Sequence, residues 1–223
     1  MRRVHPGVVL FDLDGTLTES GPGVVRSLRY AFDAIGVSPP DDATLMRFVG
    51  PPLLDSFREV AGLDDAQAND ALVAYRRYFV DKGMFENAVY PGVRELLRAL
   101  VDAGRRLAVA TSKPLPYARP IVEHFALREY FEIVCGPELD GVGAVKTTVV
   151  ADAMAALNVT AGADVVLVGD RSHDVIGAHD NGIACIGVLW GYGSRAELVG
   201  AEAIAADVDE LASLLGVNSI SGG

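Results

Sequence analysis

Two aspartates separated by one residue, Asp12 and Asp14, stand directly after the apolar run Val8-Val9-Leu10-Phe11 and ahead of Gly15-Thr16-Leu17-Thr18. Asp and Gly are weak strand formers, and two carboxylates this close repel. A hard divalent cation, which prefers oxygen ligands, would relieve that repulsion, and the backbone N–H groups of such a turn can cradle a phosphate. A strand ending in an ordinary Asp-Gly turn has the same local signature. Asp170 and Asp174 form a second acidic pair, four residues apart, behind the run Val165-Val166-Leu167-Val168. Thr111-Ser112-Lys113 follows a run ending at Ala110, where a hydroxyl can either donate to a phosphate oxygen or cap a helix. Lys146 opens a helical pattern with no strand directly before it, and a solvated surface charge is its plainer reading. If the first strand and the Val165 strand are neighbours, four carboxylates meet in one crevice. Such a cluster requires a cation, and a lysine there would partly neutralise it and pair with a phosphate.

The elements that would position these groups are legible from residue 91 onward. Leu107–Ala110, Phe131–Cys135, Val165–Val168 and Cys185–Val188 are short apolar runs of the kind buried parallel strands show. Helical periodicity lies between them: Val93, Leu96, Leu97 and Leu100 up to Gly104, then Val149, Val150, Ala153, Met154 and Leu157. This alternation predicts an α/β fold, a doubly wound parallel-sheet Rossmann-like core with its site at the carboxyl ends of the strands. Residues 18–90 break the rhythm and predict an inserted all-helical cap of three helices. Their markers are Val24 to Ile35, Leu53 to Val60 after Pro51-Pro52, and a third helix from about Asp64 to Gly83. Ser20-Gly21-Pro22-Gly23 and Tyr90-Pro91-Gly92 read as its hinges. The expected division is therefore residues 1–17 and 91–216 as catalytic core, 18–90 as cap and 217–223 as a flexible tail.

Half of the 223 residues are hydrophobic and 22% are charged, which describes a globular protein. A net charge of −11 argues against nucleic acid as a partner, though not against a small anion held by local donors. The apolar runs are too short for a membrane span, and the N-terminal residues lack a secretory signal pattern. Cys135 and Cys185 each lie in apolar surroundings and read as buried thiols, so a cytoplasmic location is expected. Oligomeric state has no signature here.

The ordered set Asp12-x-Asp14-Gly15-Thr16, Thr111-Ser112, Lys146 and Gly169-Asp170-x-x-x-Asp174 resembles the haloacid dehalogenase superfamily of phosphatases, over the whole chain and in the family's motif order. It is similar to the subgroup with a small helical cap after the first motif, which includes phosphoglycolate phosphatases and related nucleotidases. The resemblance implies that Asp12 is a nucleophile forming an aspartyl-phosphate and that Asp14 is general acid, then base. It implies Mg²⁺ held by Asp12, the backbone carbonyl of Asp14 and Asp170, with Asp174 in support. It also implies that Thr111 and Ser112 bind the phosphate and that Lys146 stabilises its charge. Asp14 narrows the expected chemistry to phosphate esters, because members cleaving carbon–halogen or carbon–phosphorus bonds lack the second acid. Two departures stand out. The family often has Lys-Pro where this chain has Lys146-Thr147, and Lys113 is a rival for the phosphate. Where many phosphoglycolate phosphatases carry a Gly-Asn-Gly type of turn, this chain reads Val49-Gly50-Pro51-Pro52-Leu53, which with Phe85-Glu86-Asn87 resembles a branch labelled 5′-nucleotidase. The expected function is hydrolysis of a small phosphate monoester of the phosphoglycolate type, the partner being a small phosphorylated metabolite. A nucleoside 5′-monophosphatase and a sugar-phosphate mutase are the alternatives. Arg47 and Gly50, around the turn in the cap, are candidates for contacting the substrate. Arg47 could pair with a carboxylate, stack on a base or stand as a solvent-exposed helix charge.

Overall fold

The computed structural model describes residues 6–139, 145–162 and 164–217. Its elements run β1 (Val8–Phe11), α1 (Gly21–Ala34), α2 (Asp42–Met46), α3 (Leu53–Glu59), α4 (Asp65–Asp81), α5 (Val93–Asp102), β2 (Arg106–Ala110), α6 (Leu115–His124), β3 (Ile133–Cys135), α7 (Lys146–Ala156), β4 (Val165–Gly169), α8 (Ser172–Asp180), β5 (Ala184–Val188), β6 (Ala203–Ala205) and α9 (Val208–Leu214). The strands form one parallel sheet in the order β3-β2-β1-β4-β5-β6. The α/β Rossmann-like class expected from the alternation is the class observed.

All four residues of β1 are buried, so its sequence is a continuous apolar run rather than an alternating one. Val8 and Leu10 pack with Ala108, Leu167 and the apolar stripes of α7 and α8. Val9 and Phe11 point to the opposite face, and the Phe11 ring meets Phe131 edge-on at 6.2 Å between centroids. Register matters most for function. Phe11 lies opposite Val109 on one side and Val168 on the other, so β1, β2 and β4 end level. The chain passes from β1 to β2 on one flank and reaches β4 on the other, which makes the end of β1 the switch point of the sheet.

The chain divides into two compact units, one comprising Met1–Thr18 with Val89–Gly223 and the other Glu19–Ala88. Within the helical unit, α1 packs along α4, and Phe32, Phe48 and Phe57 form a cluster of edge-to-face rings with centroids 5.4 to 6.4 Å apart. Asp64 and Gln67 make a reciprocal capping box at the start of α4.

Four details differ from the sequence reading. Gly21-Pro22-Gly23 is the first turn of α1 rather than a hinge. Proline is tolerated there, and Gly23 is needed because a side chain would collide with the Gly83 carbonyl. The short α2 and the edge strand β6 (Ala-Ile-Ala) carry too little periodicity or strand propensity to be read in advance. Val217 is tied back to Ala212 by a 3.0 Å backbone hydrogen bond, while the rest of the expected tail, 218–223, lies outside the described residues. No helix among the described residues is long and apolar enough to cross a membrane.

Candidate active site

Asp12 continues the line of β1, and its N–H donates to the Val168 carbonyl at 2.9 Å, so the sheet itself fixes the carboxylate. The chain then turns sharply. Gly15 takes φ = 85°, a conformation L side chains rarely adopt, and any side chain there would strike Asp170. Inside the turn the N–H groups of Leu17 and Thr18 donate to the Leu13 carbonyl at 2.9 and 3.0 Å, and that of Gly15 donates to Thr18 at 2.8 Å. The N–H groups of Gly15, Leu17 and Thr18 are thereby taken up within the turn itself.

From the next strand, β4, come Asp170, wholly buried, and Asp174, 1% exposed in the first turn of α8. Asp170 accepts from the Thr16 hydroxyl at 3.2 Å and from the Tyr192 N–H at 2.8 Å, while Asp174 accepts from the Arg171 N–H at 3.0 Å. Asp12, Asp170 and Asp174 each offer a carboxylate oxygen within 4.8 Å of the others. Lys146, the first residue of α7, is buried among them. Its Nζ lies 2.7 Å from Asp12 Oδ1 and 2.8 Å from Asp174 Oδ1, and it donates to the Ala110 carbonyl at 3.0 Å. Gly177 on α8 leaves room for this lysine, since a Cβ there would stand 2.6 Å from Lys146 Cγ. The surface-charge reading of Lys146 is thus excluded.

On the opposite flank, Lys113 Nζ lies 2.6 Å from Asp14 Oδ2. The two lysines therefore serve different aspartates. The other oxygen of Asp14, Oδ1, is buried without a hydrogen-bond partner. Thr111 is buried at the end of β2, and its hydroxyl accepts from the Lys113 N–H at 3.1 Å. Helix capping is not its role, because α6 starts only at Leu115 behind Pro114. Ser112 sits beside it, half-buried. Arg47 and Gly50 belong to the helical unit. Arg47 is exposed just past α2, and Gly50 is exposed at φ = 107°.

This geometry coincides with a match to the family model for haloacid dehalogenase-like hydrolases over residues 9–188. The chain belongs to the haloacid dehalogenase-like hydrolases. It is 45% identical over 190 residues to a 5′-nucleotidase of Pseudomonas aeruginosa, covering 85% of this chain and 86% of that one. It is 43% identical over 217 residues to tyrosine-protein kinase PtkA of Mycobacterium tuberculosis, covering 95% of this chain and 73% of that one. The crystal structure of a predicted phosphatase from Clostridium acetobutylicum superposes with a TM-score of 0.86 at 44% identity, covering 95% and 98% of the two chains. As a haloacid dehalogenase-like phosphatase, it is a phosphoric monoester hydrolase.

The electrostatics of this hydrolase fit a cation. Burial pushes the Asp12 carboxyl up to about 6, against the opposing pull of Lys146 and with a further push from Asp174. Burial likewise raises Asp170 to about 7, helped by Asp12 and Asp174. Burial alone would lower the Lys146 ammonium, but Asp12 and Asp174 outweigh it and raise it instead. Counted in full, the three carboxylates and Lys146 sum to −3 + 1 = −2, the charge a divalent ion cancels. All the donors are hard oxygens, which suit Mg²⁺ and not a soft metal.

Sequence reasoning missed the Trp190-Gly191-Tyr192-Gly193 loop after β5. Trp190 Nε1 donates to the Thr16 carbonyl at 3.1 Å, and the Tyr192 N–H holds Asp170. A side chain at Gly191 would meet the Gly15 carbonyl and the Asp170 carboxylate, and one at Gly193 would meet the Asp170 carbonyl. The loop thus braces both acidic motifs. The signal available was two glycines interleaved with aromatics just past a strand end.

Proposed function

We propose that this hydrolase is a Mg²⁺-dependent phosphatase of small phosphate monoesters, working through an aspartyl-phosphate on Asp12. The observation that carries the reading is the separation of two neighbouring aspartates onto two lysines, Asp12 on Lys146 and Asp14 on Lys113. Such a division suits a reaction in which the two carboxylates take different parts.

In the first step Asp12 attacks phosphorus, an Asp12–phosphorus bond forms, and the ester P–O bond breaks. Its electron pair goes to the alcohol oxygen, which takes a proton from Asp14. In the second step water attacks the aspartyl-phosphate and gives its proton to Asp14, releasing inorganic phosphate and restoring the Asp12 carboxylate. Lys146 and Thr111, with Ser112 beside it, would bind the transferring phosphoryl oxygens. Asp12, the backbone carbonyl of Asp14, Asp170 and Asp174 would hold Mg²⁺. When bound, the ion would neutralise the cluster and act as a Lewis acid on the phosphoryl oxygens.

Phosphoglycolate-type esters are the first candidates, and the likeness to a 5′-nucleotidase supports nucleoside 5′-monophosphates as the second reading. Arg47 and Gly50 in the helical cap are proposed to contact the leaving group. The test is phosphate release from a panel of phosphoglycolate, nucleoside 5′-monophosphates, sugar phosphates and an aryl phosphate, with Mg²⁺ or EDTA. Mg²⁺-dependent release that vanishes in Asp12→Asn supports the proposal. Release independent of metal, or rearrangement of a sugar phosphate without free phosphate, refutes it. Since one relative is named a tyrosine-protein kinase, γ-labelled ATP with a tyrosine peptide is a further arm. Label transferred to the peptide in preference to water would replace hydrolysis with transfer.

A further inference from the structure

Lys113 has no part in the reaction as written above, yet the fold builds it in with care. It follows Thr111 and Ser112 on the loop leaving β2, and its side chain is only 8% exposed. Its N–H is held by the Thr111 hydroxyl at 3.1 Å, and Gly136 closes on its carbonyl so tightly that a Cβ there would lie 2.6 Å away. With the backbone fixed at both points, the ammonium reaches one atom of the acid pair, Asp14 Oδ2, at 2.6 Å.

The pairing is one-sided. Asp14 Oδ2 receives a charge-assisted hydrogen bond, whereas Oδ1 is buried and unpartnered. A buried acceptor without a partner in the protein is open to a proton or to a bound group.

We propose that Lys113 is a positioning residue for the acid–base carboxylate. By clamping Oδ2 it fixes the rotation of Asp14, so that Oδ1 is the oxygen that delivers the proton to the departing alcohol. This rests on the acid–base role proposed for Asp14. In that step the P–O bond breaks toward the alcohol oxygen, which receives the proton carried on Oδ1.

The experiment compares Lys113→Met and Lys113→Arg with wild type on two esters. One is 4-nitrophenyl phosphate, whose phenolate departs without a proton. The other is an unactivated alkyl phosphate, whose alkoxide needs one. The ratio kcat/KM reports only the steps through first phosphoryl transfer, so later hydrolysis of the aspartyl-phosphate does not blur it. Lys113→Met is expected to lower kcat/KM for the alkyl ester about 10²-fold and for the nitrophenyl ester less than tenfold, as loss of acid catalysis would. Lys113→Arg should recover most of the alkyl activity. Asp14→Asn should show the same selective loss, and Lys113→Met added to it should cause little further selectivity.

Thermal midpoints check the fold, with Lys113→Gln as the substitute if Met is not tolerated. Equal losses on both esters in a folded variant, or additive selectivity in the double variant, would overturn the proposal. Wild-type protein inactive on both esters would instead defeat the phosphatase reading, and this proposal with it.

Discussion

Removing one carboxylate from the buried cluster should make the metal-free protein more stable, increasingly so as pH rises. Asp170 is wholly buried, and burial, with Asp12 and Asp174, raises its carboxyl from the ordinary value of 3.8 to about 7. Between those two values the folded protein keeps a proton that the unfolded chain has released. Stability therefore falls as pH rises through the window, and above the folded pKa the full cost is present. That full cost is about 4 kcal/mol. Asp170→Asn removes the titration. Its amide can still face Thr16 and Tyr192, the two partners of the carboxylate, at a fixed loss in hydrogen bonding. Fixed losses cancel when the stability difference between variant and wild type is followed against pH. From the linkage relation that difference should move in the variant's favour by about 2–3 kcal/mol between pH 5 and pH 8. The assay is urea denaturation in EDTA at intervals across this range, repeated with saturating Mg²⁺, which should reverse the order by stabilising wild type alone. A difference that is flat with pH, or that moves toward wild type on raising pH in EDTA, would refute the reasoning.

Asp12→Asn should reduce kcat by at least ~10³ while leaving the thermal midpoint equal or higher, since it removes the nucleophile and a strained charge together; midpoint and phosphate release are measured on one preparation. EDTA should abolish turnover and Mg²⁺ restore it, and Mg²⁺ should raise the thermal midpoint more at pH 8 than at pH 5, because Asp12 and Asp170 give up their protons between. Gly191→Ala should lower kcat/KM by about tenfold or more, as its methyl would collide with the Gly15 carbonyl and Asp170; full activity would show that the loop yields. Arg47→Ala should reorder substrates by kcat/KM while sparing a small aryl phosphate, and a parallel decline across the panel would exclude Arg47 as a selector.

The acidic motifs were legible because their residue types are so ill-suited to a strand end that a chemical purpose had to be assigned to them. Strands β1 to β5 were legible as short apolar runs, β3 as the end of the run Phe131–Cys135. What escaped notice depends on distance in sequence. The requirement for glycine at 191 and 193 exists only because Gly15 and Asp170 approach from two other strand ends. Gly21-Pro22-Gly23 has the composition of a hinge, and the close approach of Gly83 that makes it a packed helix start leaves no local trace. Thr111 could be a helix cap or a phosphate donor on local grounds. Its contact with the Lys113 backbone is made in a loop whose helix begins only at Leu115. The rivalry between Lys113 and Lys146 had the same origin, since each is a single charge in the sequence and only the fold assigns each its aspartate.

That strand order accounts for how two carboxylates one residue apart can do different work. Because β1 lies between β2 and β4, its carboxyl end is flanked by two loops of unrelated sequence. Asp12 is drawn toward β4 by its hydrogen bond to Val168 and joins Asp170, Asp174 and Lys146, a group whose net −2 suits a divalent ion. Asp14 meets the β2 loop instead, where the Lys113 ammonium lies 2.6 Å from its Oδ2, apart from the acidic group around Lys146. A cation bound to the first group would be neutralised there, which leaves the Asp14 side chain for the acid–base role proposed for it. Level strand ends bring the two arrangements side by side, and the switch-point topology keeps them chemically distinct.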